Sequence, residues 1–168
     1  EMTDTIQRTS DWFTKADTAI KEKNPEGTDS LLTSQIGFHF EEVKETIEAL
    51  SELLPKGEVT HLAAITALAD LREGYITGKF NQVKDVIRNP LLEEHKLAVQ
   101  ELVDGLGDTI VTATGVLNRS GVDPVEVMKR INDSNYTKFD ESGNPIINEF
   151  GKIGKSTLYK KPEWDDLI

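Results

Sequence analysis

The chain contains no cysteine. Disulfides, thiolate metal sites and cysteine nucleophiles are therefore excluded, and a cytoplasmic protein is expected. No apolar run approaches the roughly 18 to 20 residues of a membrane span. The start, EMTDTIQRTSDWF, has no basic segment followed by an apolar one, so it does not read as a secretory signal. Positive charge is scarce: 19 Lys and Arg stand against 30 Asp and Glu, a net charge of −11. Such a surface repels nucleic-acid backbones and anionic lipid, so neither is an expected partner. It would also repel a nucleotide, unless bound metal or a local basic patch mediates. Apolar residues make up 37% of the 168, enough for one folded α-rich domain.

Apolar spacing predicts helices over 5–23, 29–54, 59–83 and 91–118, and a fifth opening at DPVEVMKRIND. Asn24-Pro25 ends the first, and LPKGE closes the second. Gly74 and Gly78 weaken the end of the third. Gly121 suits the C′ position of the fourth. Asp123 fits an N-cap, with Pro124 at the first helical position. After Asn135 the pattern alternates polar and apolar around a turn at 142–144, as in a small hairpin or extended arm. The expectation is a single all-α domain over 1–168: a four- to five-helix bundle over about 5–135, then an arm over about 136–168.

The stretch FHFEEVKE places Glu41, Glu42 and Glu45 within about 100° of helical arc. Lys44 points elsewhere. The predicted fourth helix carries a second acidic stripe: Glu101, Asp104 and Asp108. Asp108 opens the apolar run TIVTATGVL and is expected to be at least partly buried. Asp is a poor mid-helix residue, and Gly105 and Gly107 lower helix propensity further. So many unfavourable local choices on one stripe suggest a site. Oxygen ligands without Cys or paired His suit a hard cation, Mg²⁺ first and Mn²⁺ second. The competing reading is a solvated acidic helix face, the usual fate of acids at this spacing.

HFEEVKE followed by DGLGDTIVTATGVLNRSGVDPVEVMKRINDSNYTKFDESGNPI resembles the MazG-like, all-α nucleoside triphosphate pyrophosphohydrolases. The likeness covers roughly 30–168. That superfamily carries EExxE on one helix and ExxD on a later one. The resemblance implies Mg²⁺-dependent hydrolysis of a nucleoside triphosphate to the monophosphate and pyrophosphate, a house-cleaning role in nucleotide pools, and a homodimer or tetramer. It implies that Glu42 and Glu45 bind metal, that Glu41 is a candidate base for the attacking water, and that Asp108 is the Asp of ExxD. The Glu expected three residues before Asp108 is instead Gly105. Asp104 with Asp108, or Glu101 with Asp104, would repair the motif, and the first aligns without gaps. The spacer from Glu45 to Asp104 is long for the family, so residues 56–90 read as an inserted or extended helical hairpin.

Asn135, Lys138 and Lys155 are the candidates for a phosphate clamp. Gln35, Phe38, Trp12 and Phe13 are candidates for a base pocket, and His39 could reach phosphate or a carboxylate. Lysines in a polar tail are commonly just solvated, and aromatics are commonly core. A di-iron bundle would need two ExxH helices. The chain offers only Glu58 with His61, since His95 directly follows Glu94. A non-catalytic acidic helical interaction protein is the alternative from another class. It accounts for the net charge but not for acids set among apolar residues on two helices.

Overall fold

The computed structural model describes residues 5–55, 61–148 and 152–168. Six α-helices form among them: α1 (Thr5–Lys23), α2 (Leu31–Glu52), α3 (Leu62–Ile76), α4 (Gln82–Arg88), α5 (Glu93–Arg119) and α6 (Pro124–Tyr136). A 3₁₀ turn, Pro25–Ser30, precedes α2. The protein is all-α, and among the described residues no helix is long and apolar enough to cross a membrane. The chain divides into two compact units, residues 29–99 and residues 1–28 with 100–168.

In the unit 29–99, α2 packs along α3 and touches α4. Gly37 makes that approach close. A Cβ there would lie 2.7 Å from Ile76 Cγ1 and 3.1 Å from the Arg72 carbonyl oxygen. The helix expected over 59–83 is two helices. Gly78, at φ +87°, adopts the left-handed conformation that ends α3, and α4 starts after it. This break raises the expected four or five helices to six; the start of the expected helix, 59–60, lies outside the described residues. The turn lets Phe80 fold back onto Gly74, where any side chain would collide with its ring. Phe40, Tyr75 and Phe80 then form a chain of ring contacts at 5.7 and 5.0 Å. On α4, the buried Lys84 bonds Asp29, and this hydrogen bond lowers the Asp29 carboxyl from its ordinary pKa.

In the other unit, α1 packs against α6 around Trp12, Ala16, Ile20, Val127 and Phe139. Asn132 is fully buried within this seam. Its Oδ1 accepts from Thr9 Oγ1 at 3.0 Å, and its Nδ2 donates to the Thr5 carbonyl at 3.3 Å. The start of α6 follows from its cap: Asp123 Oδ1 accepts from Val125 N at 2.9 Å, and Pro124 takes the first position. Upstream, α5 ends in a Schellman motif. Gly121 has φ +80°, Val122 N donates to Leu117 O, and Gly121 N donates to Asn118 O, both at 3.0 Å.

Beyond α6 the arm turns at Asp140, whose Oδ1 accepts from Ser142 N and Asn144 N at 2.9 Å each. Among the described residues it carries one antiparallel bridge, between Ile147 and Ile153; residues 149–151 of the expected hairpin lie outside the described residues. The C-terminal segment is tied to α6 by Arg130, which makes bonds of 2.6 and 2.7 Å to the two Asp166 oxygens.

Two outcomes follow. Gly37→Ala forces α3 away from α2 and should cost about 1–3 kcal/mol, read by chemical denaturation. The Arg130 hydrogen bonds hold the Asp166 carboxyl down to about 2. Because its folded value is depressed below the ordinary carboxylate value of about 3.9, its share of tail docking is present above about pH 4. That share is lost as pH falls through about 2. Carboxyl ¹³C NMR should place the Asp166 midpoint there, and Arg130→Gln should return it towards about 3.9.

Candidate active site

The acids of α2 divide by environment. Glu42 and Glu45 are exposed, three residues apart on one side of the helix, and Glu41 is half-buried. Lys44 is committed to Glu48 at 2.8 Å, so it does not serve the other carboxylates. Glu41 turns to α3, where its Oε1 lies 3.2 Å from Arg72 Nε. That distance suits an ion pair, but the Arg72 N–H is not aimed at the carboxylate, and the buried Nε makes no well-angled hydrogen bond. Arg72 is the residue that sequence reasoning missed. Its signal is that it is the lone cation in the Ala- and Leu-rich α3. His39 and Phe38 are half-buried and Gln35 is exposed; the His39 ring lies 5.9 Å from Phe40.

The acids of α5 are all exposed, Asp108 included. The expected burial of Asp108 is therefore corrected: no residue of α5 is buried, although Leu102, Leu106 and Ile110 are apolar. At about 100° per residue, Glu101, Asp104 and Asp108 fall on one face. Val99, Val103, Leu106, Ile110, Ala113 and Leu117 fall on the opposite one. That second set steps by alternating fours and threes, the spacing of a helix-pairing seam. A side chain at Gly105 would meet nothing within 4 Å. Packing within this chain therefore does not demand the glycine that stands where a Glu is expected.

The clamp candidates come together in the unit 1–28 with 100–168. The Asn135 carbonyl accepts from Trp12 Nε1 at 3.0 Å and from Lys138 N at 3.1 Å. The Lys138 ammonium sits 5.8 Å from the Trp12 ring, and its carbonyl accepts from Ser156 N at 3.2 Å. The neighbouring Lys155 places its ammonium 4.7 Å from the Tyr159 ring. Trp12 itself is 8% exposed and stacks on Phe139 at 5.6 Å, so its place is in the core. Phe13 lies edge-on to Trp12 at 5.2 Å.

Among the described residues, no three carboxylates or imidazoles are gathered as a ready metal site. Glu58, of the Glu58–His61 pair, lies outside those residues. A pair such as Glu42 and Glu45 nonetheless suits Mg²⁺. That ion keeps several waters and is commonly held by one or two carboxylates together with substrate phosphates.

The all-α scaffold agrees with the fold class of the MazG-like pyrophosphohydrolases. A family model described as phosphoribosyl-ATP pyrophosphohydrolase matches residues 15–135, and the chain belongs to that family. The family is one of nucleotide pyrophosphohydrolases within the MazG-like all-α superfamily. Searches of curated proteins and of solved structures found no match.

Proposed function

We propose that the protein hydrolyses a nucleoside triphosphate to the monophosphate and pyrophosphate in a Mg²⁺-dependent reaction, as a cytoplasmic house-cleaning enzyme. Within a pyrophosphohydrolase family, the observation that carries this reading is the environment of Glu42 and Glu45. Both are exposed and lie three residues apart on one side of α2. They would hold the metal, and Asp104 and Asp108, or Glu101, are assigned as the carboxylates of α5 that would bind it. Bound Mg²⁺, or Mn²⁺, would screen the triphosphate charge and stabilise charge developing on the bridging oxygen. Glu41 is assigned the water proton, its carboxylate lying 3.2 Å from Arg72 Nε of α3. Lys138, Lys155 and Asn135 are assigned the phosphate chain, which an otherwise acidic protein needs cations to approach. Gln35 and Phe38 are assigned to the base. Trp12 supports Lys138 from the core.

The protein is proposed to act as a homodimer paired through α5. Leu106 and Ile110 on its seam are 45% and 54% exposed. Pairing there covers apolar surface and leaves the opposite acidic face open.

Pyrophosphate release should depend on Mg²⁺ in a panel of dUTP, dCTP, dTTP, oxidised nucleotides and phosphoribosyl-ATP. Glu42→Gln and Asp108→Asn should each lower kcat by at least about a hundredfold while the circular dichroism spectrum persists. Undiminished turnover in both variants would sink the site assignment. An inert protein across the panel, with a stable protein partner, would favour the interaction reading. Light scattering should give a dimer for the wild type and a folded monomer for Leu106→Glu/Ile110→Glu. A monomeric wild type would remove the α5 pairing.

A further inference from the structure

The chain leaves α6 at Tyr136, turns at Asp140 and comes back beside its own exit at residues 155–160. Thr137 is the centre of the junction. Its Oγ1 donates to the Ser134 carbonyl at 2.6 Å and accepts from Lys160 N at 2.9 Å. Its carbonyl accepts from Ser156 Oγ at 2.8 Å. Ser134 Oγ donates to the Lys160 carbonyl at 2.7 Å, and Ser156 N donates to the Lys138 carbonyl at 3.2 Å. Ser134 and Ser156 are only 7% and 9% exposed. Buried hydroxyls that bond backbone groups on both sides fix geometry, because losing one partner leaves another unsatisfied. Leu158, between Ser156 and Lys160, is 43% exposed.

The consequence falls on Lys155. It sits one residue before Ser156, and its ammonium rests on Tyr159, which lies between the two anchored residues Ser156 and Lys160. Lys138 sits one residue after Thr137. The hydroxyl junction therefore sets how far apart the two lysines stand, and they come from segments 17 residues apart in the chain.

We propose that Thr137, with Ser134 and Ser156, is a positioning latch that holds Lys155 beside Lys138 as a two-lysine clamp for a polyphosphate chain. This rests on the phosphate-clamp reading above and deepens it. The latch residues do not touch the anion; they fix the lysines that do.

The test uses the full chain with inorganic tripolyphosphate and Mg²⁺, followed by isothermal titration calorimetry. Lys155→Ala should weaken binding about tenfold, the worth of one charge-assisted contact. Thr137→Val, which keeps the shape and removes the hydroxyl, should weaken it to a similar degree. Thr137→Ser should restore it to within about twofold of wild type. Thr137→Val on top of Lys155→Ala should cost nothing more, because the latch acts through that lysine. Thr137→Val should also reduce the salt dependence of binding as Lys155→Ala does, which a purely structural defect would not do. Multiplying effects in the double variant, or an unchanged salt dependence in Thr137→Val, would overturn the latch and leave the clamp standing. Wild-type binding by both Lys138→Ala and Lys155→Ala would overturn the clamp reading and the latch with it. Should Thr137→Val not fold, Ser156→Ala removes one latch bond and enters the same cycle with the same deciding outcomes.

Discussion

The indole of Trp12 ties together three stretches of chain. It sits on α1, its Nε1 donates to the Asn135 carbonyl at the end of α6, and its ring stacks on Phe139 of the arm at an interplanar angle of 6°. A buried N–H left without an acceptor costs about 1–3 kcal/mol, and a ring pair of this kind contributes about 0.5–1.5 kcal/mol beyond its area. The two terms act together, because Asn135 and Phe139 flank Lys138. When the indole is in place, the backbone that carries Lys138 is fixed on both sides. The Thr137 junction then brings the returning chain and Lys155 to that fixed point. The order of dependence runs from an apolar core residue, through backbone bonds, to the placement of cations.

Charge imposes the next constraint. A chain at −11 cannot hold a polyphosphate by its average field. On the proposed function, the groups that would hold metal and those that would hold phosphate must not neutralise each other. The lysines differ in their partners. Lys44, Lys84 and Lys129 are each spent on a nearby carboxylate, on Glu48, Asp29 and Asp133. Lys138 and Lys155 instead lie over aromatic rings, Trp12 and Tyr159. A ring face helps to hold an ammonium in place without cancelling its charge. Screening at physiological salt has a length of about 8 Å, so only such local arrangements matter to a ligand on the surface.

Much of the fold was legible because helix boundaries are written in local chemistry. The reading of α1 over 5–23 matches its observed bounds, and Asp123, Pro124 and Gly121 take the cap roles their types suggest. The third helix was misread because glycine is ambiguous in a sequence. Gly37 and Gly74 sit inside helices at close approaches, whereas Gly78 adopts positive φ and breaks one. Nothing local distinguishes a glycine kept for its missing side chain from one kept for its backbone. The acids were legible as stripes, but the partition of Glu41 from Glu42 and Glu45 was not. It depends on Arg72, about thirty residues away on a separate helix. Burial of Asp108 was misjudged because an apolar neighbourhood in sequence says only that a face will be covered, and not that the same chain covers it.

That last point bears on how α5 can exist at all. Its central stretch, GLGDTIVTATG, holds three glycines, and each costs about 1 kcal/mol relative to alanine in a helix interior. Thr109, Thr112 and Thr114 donate back to carbonyls of the preceding turn, an arrangement that slightly weakens helices. Helices of ordinary length owe most of their stability to packing of an apolar face, and here no residue of α5 is buried. A partner surface on its exposed apolar seam would stabilise a helix of such poor propensity. On the proposed pairing through that seam, forming the dimer and ordering the Glu101–Asp104–Asp108 face become a single event. The acidic stripe would then be a property of the assembled protein, and the glycines that weaken α5 would make its order depend on assembly.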